Sequence, residues 1–140
     1  MAEVEIDIRE LDDFIKELDD LQKLFPKQAR RLIMRIGSKA RTIVLKKAKS
    51  LVNKKTGNYY KSIKRGKPWE DKRTDEYKIR VYTRAPHGHL IELGHRIVGK
   101  DGSEHGFKEG YFVFDKAAKD IDKQWHDIAT KEFDKIMDKL

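Results

Sequence analysis

The sequence has no cysteine, only three prolines and no long apolar run. Without cysteine, the chain can form no disulfide, offers no thiolate to zinc and has no thiol nucleophile. A helix that crosses a bilayer needs about 20 apolar residues, so we expect no membrane partner. The N-terminus, MAEVEIDIRE, is acidic and alternating, the opposite of a secretion signal. These absences favour a protein made and folded in the cytosol.

Charge is abundant and unevenly placed. Of 140 residues, 40% are charged and 38% are hydrophobic, and the net charge is +8. Residues 1–25 carry nine acids and three bases, a net −6, whereas residues 26–73 carry seventeen bases and two acids, a net +15. The remainder is close to neutral. An acidic head before a basic middle predicts either self-complementary assembly or a polyanionic partner.

Apolar residues recur at three- and four-residue steps in three stretches, which predicts three helices. The first runs from Leu11 to Phe25. After Pro26, the second covers residues 28–52 and has a basic opposite face. The third follows Asp115, which we expect to cap it. Its predicted apolar stripe is Ala118, Ile121, Trp125, Ile128, Ala129, Phe133, Ile136, Met137 and Leu140.

Alternation predicts strands at residues 4–10 and, more clearly, at residues 76–85, where Ile79, Val81 and Thr83 share one face. The quartet YFVF, residues 111–114, reads as a short buried strand. HLIEL, residues 89–93, fits either a strand or one helical turn.

Glycine and charge break the pattern elsewhere. We expect flexible loops near residues 54–75, with a short helical turn or strand around residues 59–63, and near residues 95–110. Gly37 interrupts the second helix, and we expect another element to pack closely there. The whole predicts one α+β domain over residues 1–140, with long N-terminal helices and a C-terminal helix packed on a small antiparallel sheet.

The stretch RAPHGHLIELGH, residues 84–95, holds three of the five histidines. On a strand, His87 and His89 would share a face, and with Glu92, His95 or His105 they could bind zinc or iron. Their spacing matches no strong metal motif. Glu92 with a histidine could also do acid–base chemistry. However, the sequence has no nucleophile elbow, phosphate loop or dinucleotide fingerprint, so we assign no catalytic residue, metal or cofactor.

The basic residues 26–73 also permit the interpretation that the protein binds nucleic acid. Three aromatic residues interleave with four cations, a mixture that stacks bases and neutralises phosphates. They are Tyr59, Tyr60 and Trp69 with Lys61, Lys64, Arg65 and Lys67. A plainer reading is a solvated loop whose aromatic residues dock on the core.

Two segments together resemble a known family. KKTGNYYKSIKRG, residues 54–66, and RAPHGHLIELGH occur in the order and at about the spacing seen in the tail-completion, or head–tail joining, proteins of tailed phages and prophages, the gene-product-ten-like minor structural proteins. The resemblance spans roughly residues 28 to 135. The matching positions are Thr56, Gly57, Ser62, Ile63, Ala85, His89, Glu92 and Gly94.

The chain departs from the family pattern at three points. Asp115 stands where a proline is usual before the last helix. His95 stands where threonine is commoner, and Pro86 follows Ala85.

At these positions the residue types suit a shaped scaffold. Gly57 can leave a helix with positive φ, and Gly94 permits a tight bend. Glu92, within the mostly apolar LIEL, should be half-buried and need a partner. That partner would be a cation of the basic helix or a backbone amide.

The resemblance implies a non-catalytic ring, six-fold, between the head connector and the tail tube. Partners would be other copies, neck or head-completion proteins and tail-tube proteins, with transient proximity to DNA; alone, the protein could be monomeric. The implied location is the virion, after assembly in the host cytoplasm. The expected assembly surface pairs Arg30, Arg31, Arg35, Lys39, Lys46 and Lys47 with Asp12, Asp13 and Glu17 of a neighbour. The alternative function is a small basic nucleic-acid-binding module.

Overall fold

The computed structural model describes residues 2–7, 20–21, 23–52, 57–71 and 76–139. Most of the helix predicted from Leu11 to Phe25 therefore lies outside the described residues. The elements in chain order are β1 (Ala2–Asp7), α1 (Pro26–Leu51), α2 (Asn58–Ser62), β2 (Ile63–Arg65), β3 (Trp69–Asp71), β4 (Glu76–Thr83), α3 (Gly88–Leu93), β5 (Gly94–Val98), β6 (Glu104–Glu109) and α4 (Val113–Met137).

Helix α1 is the long basic helix expected after Pro26. Proline suits its first turn because the missing N–H would have no intrahelical partner there. The helix ends where Val52 turns extended and its N–H donates to the Ala48 carbonyl at 2.8 Å. Its buried face confirms the predicted stripe and consists of Ala29, Leu32, Ile33, Ile36, Gly37, Ala40, Val44 and Ala48.

Strand β4 is the centre of an antiparallel sheet. On one edge it pairs with β1, with Val4 opposite Val81. On the other edge it pairs first with β2, where Ile63 lies opposite Thr83, and then with β3, where Trp69 lies opposite Lys78. The strand predicted at residues 4–10 is confirmed over residues 4–7, with residues 8–10 outside the described residues, and the strand predicted at residues 76–85 is confirmed over residues 76–83. The face of β4 formed by Ile79, Val81 and Thr83 is buried, as its alternation predicted.

Helix α1 packs against β4 on one side and against α4 on the other, and α4 also contacts β1. The α+β class predicted from the pattern is confirmed. Within the described part of the chain, no helix is long and apolar enough to cross a bilayer.

Gly37 marks the closest approach of α1 to the sheet. A Cβ placed there would lie 2.4 Å from Cδ1 of Ile79 and 3.2 Å from Cδ of Arg65. Close packing, expected from the sequence, is therefore the reason for a glycine in mid-helix.

Residues 95–110, predicted as a loop, instead lie largely in a two-stranded hairpin of β5 and β6, with Arg96 opposite Phe107. Alternation could not reveal it, because all six residues of β6 are exposed and no face needs to be apolar. The flexibility expected of these residues stays a prediction.

The start of α4 corrects two further predictions. YFVF is not a strand, because Val113 and Phe114 already form the first helical turn. A run of four apolar residues cannot by itself distinguish a buried strand from the start of a buried helix. Asp115 is not the cap: it lies inside the first turn, and the capping position is Phe112, with φ +52° and no side-chain capping bond of its own.

The apolar stripe of α4 also differs in part. Ile121, Ala129 and Ile136 are buried as predicted, but Met137 is exposed. Glu132 is buried instead, and its carboxylate lies 3.8 Å from Arg35 Nη1. Because glutamate is polar, a prediction based on apolar residues could not place position 132 on the buried face of α4.

Replacing Gly37 by alanine tests this packing. Alanine favours a helix by about 1 kcal/mol over glycine, whereas overfilling a core costs about 1–3 kcal/mol. We expect a net loss near ~1 kcal/mol, and expect Ile79→Val, which removes the clashing methyl group, to cancel most of it in the double variant. Denaturant unfolding of the four proteins gives the coupling; purely additive effects would contradict the contact.

Candidate functional site

The two motif segments meet in a chain of hydrogen bonds. The Ala85 N–H donates to Thr83 Oγ1 at 3.2 Å, and the Thr83 and Ser62 hydroxyl oxygens lie 2.6 Å apart. Ser62 Oγ donates to the Tyr59 carbonyl at 2.5 Å. Because the Ser62 hydroxyl already donates its proton to that carbonyl, the Thr83 hydroxyl must be the donor in its bond to Ser62 Oγ. Each hydroxyl is thereby both donor and acceptor, which satisfies the buried Thr83.

The first motif is also tied to helix α1. Arg41 Nε donates to the Ile63 carbonyl at 2.9 Å, and the Tyr60 hydroxyl donates to the Val52 carbonyl. Gly57 has φ +75°, so the positive φ expected there is confirmed. Thr56 lies outside the described residues. These bonds fix the segment that follows α1 against the end of that helix.

The second motif forms a helical turn, not a strand. His87 occupies the position just before α3, without a side-chain capping bond, and His89 lies inside the helix, so the two are not alternate residues on one face of a strand. Both are exposed. Gly88 is buried against Thr83, and a Cβ at this position would lie only 3.1 Å from Cγ2 of Thr83. The glycine lets α3 begin directly on the strand that precedes it.

Glu92 is the pivot of the site. Its side chain is almost fully buried, at 8% exposure. Its carboxylate accepts from the Phe114 N–H at 2.9 and 3.2 Å and from the Asp115 N–H at 3.3 Å. The first N–H groups of a helix have no intrahelical acceptor and carry partial positive charge. Glu92 therefore caps α4 from another element, and of the two partner types expected, the structure shows the backbone amide.

The backbone around Glu92 closes the same junction. The Ile91 carbonyl accepts from the Tyr111 N–H at 2.8 Å, and the Glu92 carbonyl accepts from the Phe112 N–H at 3.1 Å. The end of α3 and the start of α4 thus satisfy each other's unpaired groups. The sequence did not reveal this pairing, because it joins residues about twenty positions apart.

Two glycines allow the chain to cross itself beside Glu92. Gly94 has φ +87°, and a Cβ there would lie 2.3 Å from the Lys108 carbonyl oxygen. A Cβ on Gly110 would lie 2.3 Å from the Glu92 carbonyl oxygen. The neighbours are backbone atoms, which cannot move aside. Gly110 was missed in the sequence, where only its position just before an aromatic segment could have marked it.

Tyr59 places a phenol near this carboxylate. Its hydroxyl is buried and makes no hydrogen bond to any residue in the described ranges. Burial, and to a smaller extent the Glu92 charge, raises the pKa of Tyr59 well above its usual value. The phenol therefore stays neutral beside the carboxylate.

The histidines do not assemble into a metal site in this arrangement. His95 Nδ1 lies 3.0 Å from the Arg96 carbonyl oxygen, and His105 Nε2 lies 3.0 Å from Ser103 Oγ on the hairpin. Among the described residues, no three histidine, aspartate or glutamate side chains are placed to share a metal ion. Glu92 has its oxygens on backbone amides rather than on a histidine.

The predicted basic assembly surface is partly used within the chain. Lys47 Nζ lies 2.8 Å from Asp120 of α4, and the bond lowers the pKa of Asp120. Arg35 faces Glu132. Arg30, Arg31, Lys39 and Lys46 are exposed. Their proposed partners Asp12, Asp13 and Glu17 lie outside the described residues.

The aromatic residues of the nucleic-acid reading are not gathered for base stacking. Tyr60 is buried in the core, and Tyr59 packs against it. The Arg80 Cζ atom lies over the Trp69 ring, 5.0 Å from the centroid of that ring. The plainer reading, in which the tyrosines dock on the core, is what the structure shows.

The matching family model is described as "Bacteriophage HK97-gp10, putative tail-component" and covers residues 12–94, more than half of the chain. The chain belongs to this family. The comparisons with curated proteins and with solved structures give no match. The matched range contains the first motif and residues 84–94 of the second, and apart from Gly94 the hairpin and α4 lie beyond it.

Membership in the HK97-gp10-like family makes this chain a structural tail component of a bacteriophage, whose partners are other phage structural proteins. The geometry agrees with a structural role for the motif residues. Ser62, Thr83, Ala85 and Glu92 bind protein groups, and their hydrogen bonds are directed inward.

Glu92→Gln tests the pivot. Glutamine has about the volume of glutamate but no charge, and its NH₂ group would face the N–H donors of α4. We therefore expect the free energy of unfolding to fall by about 1–3 kcal/mol. Glu109→Gln, on the exposed strand β6, is the matched control and should change stability by less than about 0.5 kcal/mol. Urea unfolding monitored by circular dichroism compares them. Equal stability of both variants would refute the capping role.

Proposed function

We propose that this tail component completes the tail and joins it to the head, as a non-catalytic six-fold ring between the head connector and the tail tube. The observation that carries the proposal is the family match over both motifs. Its partners would be other copies of the chain, neck or head-completion proteins and tail-tube proteins. It would act in the virion, after assembly in the host cytoplasm, and the free chain would be monomeric.

The placement of Glu92 and of the neighbouring histidines in the described residues supports a non-catalytic role. The carboxylate best placed for acid–base chemistry, Glu92, is committed to the amides of Phe114 and Asp115. His87 and His89 are exposed on either side of the start of α3, and neither has a hydrogen bond to Glu92 in the described structure. The rigid motif junction has the properties of a scaffold.

The hairpin supports assembly. Leu93, Val98 and Phe107 are exposed at 61%, 58% and 63%, and Ile97 at 42%. These large apolar side chains lie on or directly beside the short hairpin of β5 and β6, which pairs with no other strand in the described chain. Clustered exposed apolar residues are typical of protein-binding surfaces. We assign this apolar hairpin to contacts with neighbouring virion proteins.

Charge supplies a second contact in the proposal. The exposed Arg30, Arg31, Lys39 and Lys46 would face the acidic residues Asp12, Asp13 and Glu17 of the next copy. Such a heterologous contact closes into a ring when its rotation allows. Complementary charges of this kind add specificity and association rate more than affinity.

A phage deleted for this gene tests the proposal. We expect packaged heads and separate tails under the electron microscope, and joined, infectious particles when the wild-type chain is supplied. Joined particles in normal yield without the chain would contradict the function.

A matched pair of double variants tests the proposed contact of the hairpin. Val98→Ser with Phe107→Ser should fold normally but restore few joined particles, because the apolar contact is lost. Lys123→Ser with Lys131→Ser, on the exposed face of α4, should restore them fully. Full restoration by the hairpin variant would remove the hairpin from the assembly surface.

A further inference from the structure

A basic groove lies between the first half of α1 and strand β2. Its volume is about 310 Å³. Five of its seven lining residues are cationic and none is acidic. The residues are Lys27, Arg30, Arg31, Met34, Arg35, Ser38 and Arg65. A concave surface lined in this way concentrates positive potential and attracts anions.

One wall of the groove is held in place by hydrogen bonds. Arg65 reaches from β2 to α1, where its Nη1 donates to the Met34 carbonyl at 3.1 Å and lies 3.5 Å from Ser38 Oγ. The Arg65 side chain passes over Gly37, where a Cβ would lie 3.2 Å from its Cδ. Gly37 thus makes room for an arginine that is positioned before any ligand arrives.

The other wall carries cations that no carboxylate in the described residues neutralises. Lys27, Arg30 and Arg31 are exposed, and none has an ion pair within the part of the chain that the structure describes. They lie in the first turns of α1, whose first turn has no acidic residue. Cations near a helix N-terminus oppose the helix dipole. Local choices that work against stability are expected where a residue serves binding.

We propose that this groove binds the phosphate backbone of duplex DNA. The inference rests on the proposed place of the chain between head and tail. Duplex DNA presents about one negative charge per 1.7 Å of its axis, so it can engage several groove cations at once. The lining contains no aromatic residue on which an unpaired base could stack, so the expected contact is with the phosphates of a duplex.

Arg30 and Arg31 also belong to the proposed charge contact with the next copy, so duplex DNA and that acidic segment would compete for them. Within the described residues, Asp120 pairs with Lys47, and Glu132 pairs with both Arg35 and Lys135. Lys27 and Arg31 follow one another at a four-residue step along α1, about 6 Å apart along the axis. The row and the opposing Arg65 together form a track for a polyanion rather than a socket for one carboxylate.

Fluorescence anisotropy with a short labelled duplex, titrated at several salt concentrations, tests the inference. The groove variant combines Lys27→Gln, Arg30→Gln and Arg31→Gln. The control combines Lys116→Gln, Lys123→Gln and Lys131→Gln on the exposed face of α4, which removes the same charge. Circular dichroism establishes that each variant is folded.

We expect the groove variant to lose at least about tenfold in affinity, and the slope of log affinity against log salt to fall by about 3, since each phosphate contact contributes about 0.9. The control should change both far less. Equal losses in the two variants, or no binding of DNA by the wild-type chain, would overturn the proposal. So would tighter binding of a poly-glutamate peptide than of DNA through the same three residues.

The groove shares Arg30 and Arg31 with the proposed charge contact, so the outcomes are separated through the hairpin: the hairpin variant should bind DNA as the wild-type chain does and still fail to join heads to tails. A groove variant that still joins heads to tails but no longer binds DNA supports the groove and leaves the joining function intact. Loss of DNA binding does not require loss of the hairpin contact, because the groove and the hairpin share no residue.

Discussion

The capping of α4 by Glu92 is the interaction on which the rest of the site depends. The carboxylate comes from α3, in the second motif. Its two oxygens accept hydrogen bonds from the Phe114 and Asp115 amides, at the positive end of a helix of 25 residues. Through Thr83 and Ser62, the same motif is bonded to the segment that follows α1. The buried Glu92 carboxylate thereby joins the second motif to the terminal helix, and α4 in turn packs along α1.

Electrostatics divides the basic helix into two parts. Toward its C-terminal half, Lys47 meets Asp120 of α4, and near its middle Arg35 meets the buried Glu132. These pairs attach α1 to α4. Toward its N-terminus, the cations line a groove without acidic residues. The charge asymmetry visible in the sequence therefore serves two purposes, internal packing at one end and binding of an anionic partner at the other.

The sequence predicts best where burial imposes a period. The stripe of α1 and the alternation of Ile79, Val81 and Thr83 were readable because each has one apolar face. The hairpin of β5 and β6 was not, since all six residues of β6 are exposed and no face of that strand has to be apolar. The start of α4 was misread because its cap comes from Glu92, twenty-one residues before the first helical residue, Val113. Gly110 and Thr83 act through contacts between distant segments, which local pattern cannot show.

Amide hydrogen exchange at Phe114 and Asp115, followed by NMR, tests the central claim most directly. The second and third N–H groups of a helix ordinarily lack an acceptor and exchange quickly. If Glu92 caps α4, both amides should be protected in the wild-type chain, and Glu92→Gln should lower their protection selectively while the amides of α1 keep theirs. Rapid exchange at Asp115 in the wild-type chain, or unchanged protection in the variant, would contradict the account.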